Sequence, residues 1–186
     1  MQEPRHQYGL SARILHWLTV VMLLLTVPIG FAMTYRGSDL KIWDATTNTL
    51  YSSHKLLGFL ILLIVVARLI NNRISGTPPD EPGMKKIFKL AAHSTHHILC
   101  LLLLLVPVTG WVAISMFPAL NIFGLFSLPA ITSPDQKLSR LIFDYHAYLA
   151  YALLAVIAAH IAGALFHQFV LRDGIIRRMW PSRSSS

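Results

Sequence analysis

The chain is predicted to be an all-α membrane protein, a bundle of four transmembrane helices forming one domain over residues 1–186. Three observations carry this. Of the 186 residues, 54% are hydrophobic and only 13% charged, more apolar surface than a soluble domain of this size can hide. The apolar residues fall into four runs, each long enough to cross a hydrocarbon layer about 30 Å thick. The basic residues gather at the ends of those runs. A net charge of +8 taken alone suggests nucleic acid. Its distribution excludes that partner, because a basic rim on apolar segments is first a topology signal.

The first helix is expected over about 13–33, after Arg13-Ile14-Leu15-His16-Trp17. The run is long for a signal-peptide core and shows no small-residue cleavage site, so it reads as a retained span. Pro28 and Gly30 are tolerable in a packed membrane helix. A polar loop is expected over 34–51, then a second helix over about 52–71. The connector Ser75–Gly83 holds three prolines and two glycines and cannot continue a helix. The third helix is expected over about 90–115, opening with His93, His96 and His97. Residues 116–141 are apolar in part, but Asn121–Pro129 is short and bracketed by Pro118 and Pro129. This reads as an interfacial piece. The fourth helix is expected over about 141–169, with a basic tail behind it and Ser184–Ser186 as an unstructured end.

Orientation follows from counting Lys and Arg. Arg5, Arg13, Arg68, Arg73, Lys85, Lys86, Lys89, Arg172, Arg177, Arg178 and Arg183 flank one side, eleven in all. Arg36, Lys41, Lys55, Lys137 and Arg140 make five on the other. The imbalance puts both termini in the cytoplasm. A fifth span through 116–131 would break this parity.

His146 and His160 lie fourteen residues apart on the fourth helix. Fourteen steps of about 100° return to within roughly 40° of the start and climb about 21 Å. The two imidazoles share one stripe at two depths. Ionisable groups inside a membrane are costly and face a bundle interior, where they line a path or bind something. Depth then pairs His54 with His146 near the outer side, and His16 with His160 toward the cytoplasm. The same spacing separates His16 from Gly30, His54 from Arg68 and His96 from Gly110. Glycines at the outer level on the first and third helices are expected to let a porphyrin plane approach the backbone. Arg68 supplies a cation for a propionate at the inner level. The pattern points to two stacked haems. The alternative is histidines hydrogen-bonded to neighbouring helices. No Cys-x-x-Cys-His motif is present, so such haems are b-type, and the single Cys100 offers no disulfide framework. Two imidazoles saturate the iron and leave outer-sphere electron transfer as its chemistry.

Leu15-His16-Trp17, the His54 helix ending in Arg68, the His93/His96 helix start, Val106-Pro107-Val108-Thr109-Gly110 and the His146–His160 helix together resemble the bacterial cytochrome b561 family. The resemblance covers nearly the whole chain. It implies a di-haem b cytochrome of the inner membrane, multi-pass and surrounded by lipid, that exchanges electrons with ubiquinone. The family includes a superoxide oxidase, which passes electrons from periplasmic superoxide to ubiquinone. By matching positions the iron ligands fall on His16, His54, His146 and His160.

Other residues carry weaker expectations. His96 is assigned to the neighbourhood of the inner haem or of a quinone, where an imidazole suits proton donation. The bland reading is a histidine anchoring a helix at the interface. His93, His96 and His97 share a face that would suit a metal, but no fourth ligand is evident. Arg36, Lys55, Lys137 and Arg140 form a candidate outer patch to steer superoxide, set against ordinary loop charge balanced by Asp39, Asp44, Asp135 and Asp144. His6 and His167 read as surface or interfacial residues, and Trp17, Trp111 and Trp180 as interfacial anchors or haem-packing rings. The favoured function is superoxide:ubiquinone oxidoreduction. The alternatives are a cytochrome b module serving a partner periplasmic redox protein, and a non-redox metal or proton transporter. No catalytic residue is assigned.

Overall fold

The computed structural model describes residues 7–80 and 83–180. The expectations for Arg5, His6, Arg183 and Ser184–Ser186 lie outside the described residues. Four helices carry the fold: α1 (Leu10–Thr34), α2 (Ala45–Ser75), α3 (Lys86–Met116) and α4 (Gln136–Phe166). All four are long and apolar enough to cross a membrane. Thirty-one residues in each of α2, α3 and α4 give a length of about 46 Å, enough to span the hydrocarbon and both interfaces. Four spans place both termini at one end, called here the terminal face. The α1–α2 and α3–α4 connections form the loop face.

Every helix starts before its expected bound, and all but α4 also end beyond it, because the apolar run marks what lipid covers whereas the cap marks where the helix ends. The Asp44 carboxylate accepts from the Thr47 amide at 2.8 Å, and Asp135 accepts from the Leu138 amide at 3.0 Å. These two N-caps start α2 and α4 in polar sequence well before the lipid boundary. The Thr47 amide, with Arg36 beside it, also holds the Asp44 carboxyl below its ordinary pKa. The expected loop at 34–51 therefore shrinks, since a π turn over Tyr35–Asp39 extends α1. Gly76 ends α2 at φ 70, a conformation that favours glycine. At the other end of the chain, α4 stops at Phe166 and passes into a π turn over His167–Leu171.

α1 packs chiefly on α2 and α3 on α4, while α2 and α3 join the two hairpins. α4 stands off from α1 and α2. Ile61, Val65, Leu99, Leu102, Leu103 and Leu153 form the apolar centre, with Met22 and Leu23 against it. On each helix these residues lie between the two levels of polar side chains, so dry packing separates one level from the other.

The α3–α4 connection stays at the loop face, as expected. It holds a two-residue antiparallel pair, β1 (Asn121–Ile122) with β2 (Phe126–Ser127). Ile122 is fully buried. The connection is pinned from below: Lys55 Nζ donates to the Ala119 carbonyl at 2.9 Å and also to the Asn121 carbonyl. Ser52 Oγ accepts from the Phe123 amide at 3.2 Å, and Trp111 Nε1 donates to the Pro129 carbonyl at 2.9 Å.

Candidate functional site

At the loop-face level the His54 and His146 ring centroids are 6.1 Å apart, with planes at 88°. Each ring is positioned by the same local device on a neighbouring helix. His146 Nδ1 donates to the Val106 carbonyl at 2.9 Å, and His54 Nδ1 to the Thr26 carbonyl at 3.3 Å. Four residues beyond each acceptor comes a glycine. A Cβ at Gly110 would sit 3.0 Å from His146 Cε1, and one at Gly30 would sit 3.0 Å from His54 Cε1. The missing side chain is what lets each imidazole reach the carbonyl. Because a carbonyl only accepts, Nδ1 carries the proton and Nε2 keeps its lone pair for a metal.

At the terminal-face level His16 and His160 have centroids 6.5 Å apart, with planes at 72°. His16 Nδ1 is buried without a hydrogen-bond partner among the described residues, an unusual state for a polar atom. The ring of His96 meets His160 edge-on at 5.2 Å, and the residue keeps accessible surface. Arg68 lies within electrostatic reach of His16, His96 and His160.

Both pairs can be tested against an iron held between them. Two metal–nitrogen bonds of about 2.0 Å, plus about 1.1 Å from each nitrogen to its ring centre, ask for about 6.2 Å between centroids. The observed 6.1 and 6.5 Å fit that spacing. The pairs bridge the gap where α4 stands off from α1 and α2, the place where a flat macrocycle would enter. His93, His96 and His97 do not converge on a common point. His93 Nε2 pairs with Asp80 at 3.0 Å, His97 Nδ1 donates to the His93 carbonyl at 2.7 Å, and His96 turns toward His160.

The candidate steering cations divide. Lys137 and Arg140 are exposed at the loop face. Arg36 is paired with Asp44 at 2.7 Å, and Lys55 is held by two backbone carbonyls. Both serve as structural ties, the ordinary loop-charge alternative to steering. Proximity of Lys55 to His54 in sequence concealed that its side chain turns to the connection. His167 is likewise no free surface histidine: it is half-buried and bonds Asp173 Oδ2 at 2.5 Å. Trp17 Nε1 donates to the Met179 carbonyl at 2.9 Å, and its ring meets Trp180 at 5.6 Å, so the C-terminal segment folds back over α1. Sequence reasoning did not find the Thr26 and Val106 carbonyls. The signal was present, because each lies four residues before a glycine and brackets a proline.

Similarity to known proteins points to one family. The family model Prokaryotic cytochrome b561 matches residues 7–182. The chain is 26% identical to "Cytochrome b561 homolog 2" of Escherichia coli, covering 96% of this chain and 94% of that protein. It is 25% identical to "Cytochrome b561 homolog 1" of the same organism, over 91% and 94%. A third relative, "Probable superoxide oxidase CybB" of Yersinia pestis, is 26% identical over 91% of this chain and 93% of its own. The chain belongs to the prokaryotic cytochrome b561 family and is a multi-pass protein of the bacterial inner membrane, carrying haem b for transmembrane electron transfer.

Proposed function

We propose that His54 with His146, and His16 with His160, hold two haems b, and that the protein passes electrons from superoxide at the loop face to ubiquinone. The observation that carries this is the pair of imidazole couples at iron-binding spacing, one at each depth. When bound, each haem supplies a one-electron Fe(III)/Fe(II) couple with no open coordination position. The protein's own residues do the rest. The Thr26 and Val106 carbonyls fix the tautomer and orientation of the two loop-face imidazoles. The apolar centre excludes water between the levels. The excess of basic residues at the terminal face supports a cytoplasmic location for both termini. There the exposed His96 supports a quinone headgroup reaching the His160 level from lipid, with an imidazole at hand to supply a proton.

The donor is tested by kinetics. Superoxide is a small anion, so Lys137 and Arg140 raise its encounter rate in a way that salt screens over about 8 Å. Superoxide-driven quinone reduction by the purified protein should slow as salt rises. Lys137→Gln/Arg140→Gln should slow it about threefold at low salt and leave the high-salt rate unchanged. A rate indifferent to both would move a partner redox protein ahead as donor; the engagement of Arg36 and Lys55 confines any steering to Lys137 and Arg140.

Arg68 gives an independent check on the terminal-face level. A cation beside a propionate favours the reduced centre, which carries one more negative charge. Arg68→Leu should lower one of two midpoint potentials by about 60 mV or more, a tenfold shift for a one-electron couple. An unchanged two-component redox titration would mean that Arg68 serves only the interface.

A further inference from the structure

A pocket of about 440 Å³ opens on the terminal face at the foot of α4, lined by Gln168, Arg172, Asp173, Gly174 and Arg177. It takes no part in the function proposed above. After the π turn the chain reverses at Arg172, φ 52, and Gly174, φ 75, which brings two arginines five residues apart onto one hollow. Asp173 is the only acid among the described residues of the lining, and both its oxygens are already hydrogen-bonded. Its Oδ2 holds His167 Nδ1 at 2.5 Å and its Oδ1 accepts from the Ile175 amide at 3.3 Å. Arg172 Nε donates to the Phe169 carbonyl at 3.3 Å, leaving its two terminal nitrogens free to bind. No carboxylate pairs with Arg172 or Arg177 among the described residues.

Beside this cationic hollow the chain exposes apolar surface. Phe169 is 67% exposed and Val170 64%, on a segment that continues a membrane span. A ligand that satisfies both halves has an anionic head and apolar tails. Guanidinium groups match phosphate oxygens by paired hydrogen bonds. A quinone is neutral and leaves two guanidiniums uncompensated. We propose that this pocket binds the phosphate headgroup of an anionic phospholipid, its acyl chains lying along the exposed end of α4.

The test is native mass spectrometry of the intact haem-loaded protein in detergent, titrated with phosphatidylglycerol or phosphatidylcholine. Wild-type protein should retain phosphatidylglycerol in preference to phosphatidylcholine. Arg172→Gln/Arg177→Gln should weaken that retention about thirty-fold, the effect of two basic residues near an anionic lipid. Lys85→Gln/Lys86→Gln removes two exposed charges from the same face outside the pocket and should change retention little. Haem absorption and thermal unfolding, followed in parallel, confirm that both variants are folded. Equal loss in the two variants would reduce the effect to general surface charge and overturn the pocket. Displacement of the lipid by millimolar inorganic phosphate would overturn the lipid in favour of a soluble anion. Undiminished retention in the arginine variant would overturn both.

Discussion

His146→Ala should lose the loop-face haem while keeping the other, and His160→Ala should do the reverse. A pyridine haemochrome assay should return two haems b per chain for the unaltered protein and about one for each variant. The expectation rests on how the two pairs are built. Removing one imidazole leaves its partner with a single bond to a group that the surrounding apolar side chains cannot hold in place. The dry layer of Ile61, Val65, Leu99, Leu102, Leu103 and Leu153 lies between the levels, so disturbance at one should not reach the other. His54→Ala should mimic His146→Ala, because those two rings face each other at 6.1 Å. His167→Ala serves as the control: its Nδ1 is taken by Asp173, and both haems should remain. Full occupancy of both haems in either His146→Ala or His160→Ala would mean that the ligands lie elsewhere.

The helices and their histidine pairs were legible because the membrane leaves the sequence little choice. Lipid demands long apolar runs, and a polar group inside one stands out. A fourteen-residue interval then fixes both the face and the depth of His146 and His160. Helix ends were less legible, since Asp44 and Asp135 cap α2 and α4 in polar sequence that lipid does not constrain. The side-chain ties were not legible at all. Lys55 meets carbonyls 64 and 66 residues away, and Asp80 meets His93 thirteen residues on across a proline-rich connector. Such partners depend on where a loop lands, and no periodicity reports that. Gly30 and Gly110 fall between these cases. Their spacing from His16 and His96 suggested a porphyrin plane against the backbone, whereas in the structure it is the imidazoles of His54 and His146 that a Cβ at these positions would meet.

That contact makes the glycines the sharpest probe of the loop-face level. In Gly110→Val the new Cβ sits 3.0 Å from His146 Cε1 and 3.2 Å from Nδ1, closer than packed atoms sit. The ring has to give by a few tenths of an ångström to the Cβ and further to the valine methyls, which weakens its bond to the Val106 carbonyl that fixes its tautomer. Overpacking of this kind costs about 1–3 kcal/mol, and orienting partners of metal ligands are worth about ten- to a hundredfold in affinity. Loop-face haem affinity should therefore fall at least about tenfold in Gly110→Val, and likewise in Gly30→Val, whose Cβ meets His54 at 3.0 Å. The terminal-face haem should stay in place in both. Gly58→Val and Gly163→Val separate this effect from a general helix response, because a Cβ at either position meets nothing within 4 Å. Haem titration of the four apo variants reads the difference. Equal affinities across all four would show that Gly30 and Gly110 do not set the approach of the imidazoles, and would remove the carbonyl-oriented pair as the basis of the loop-face site.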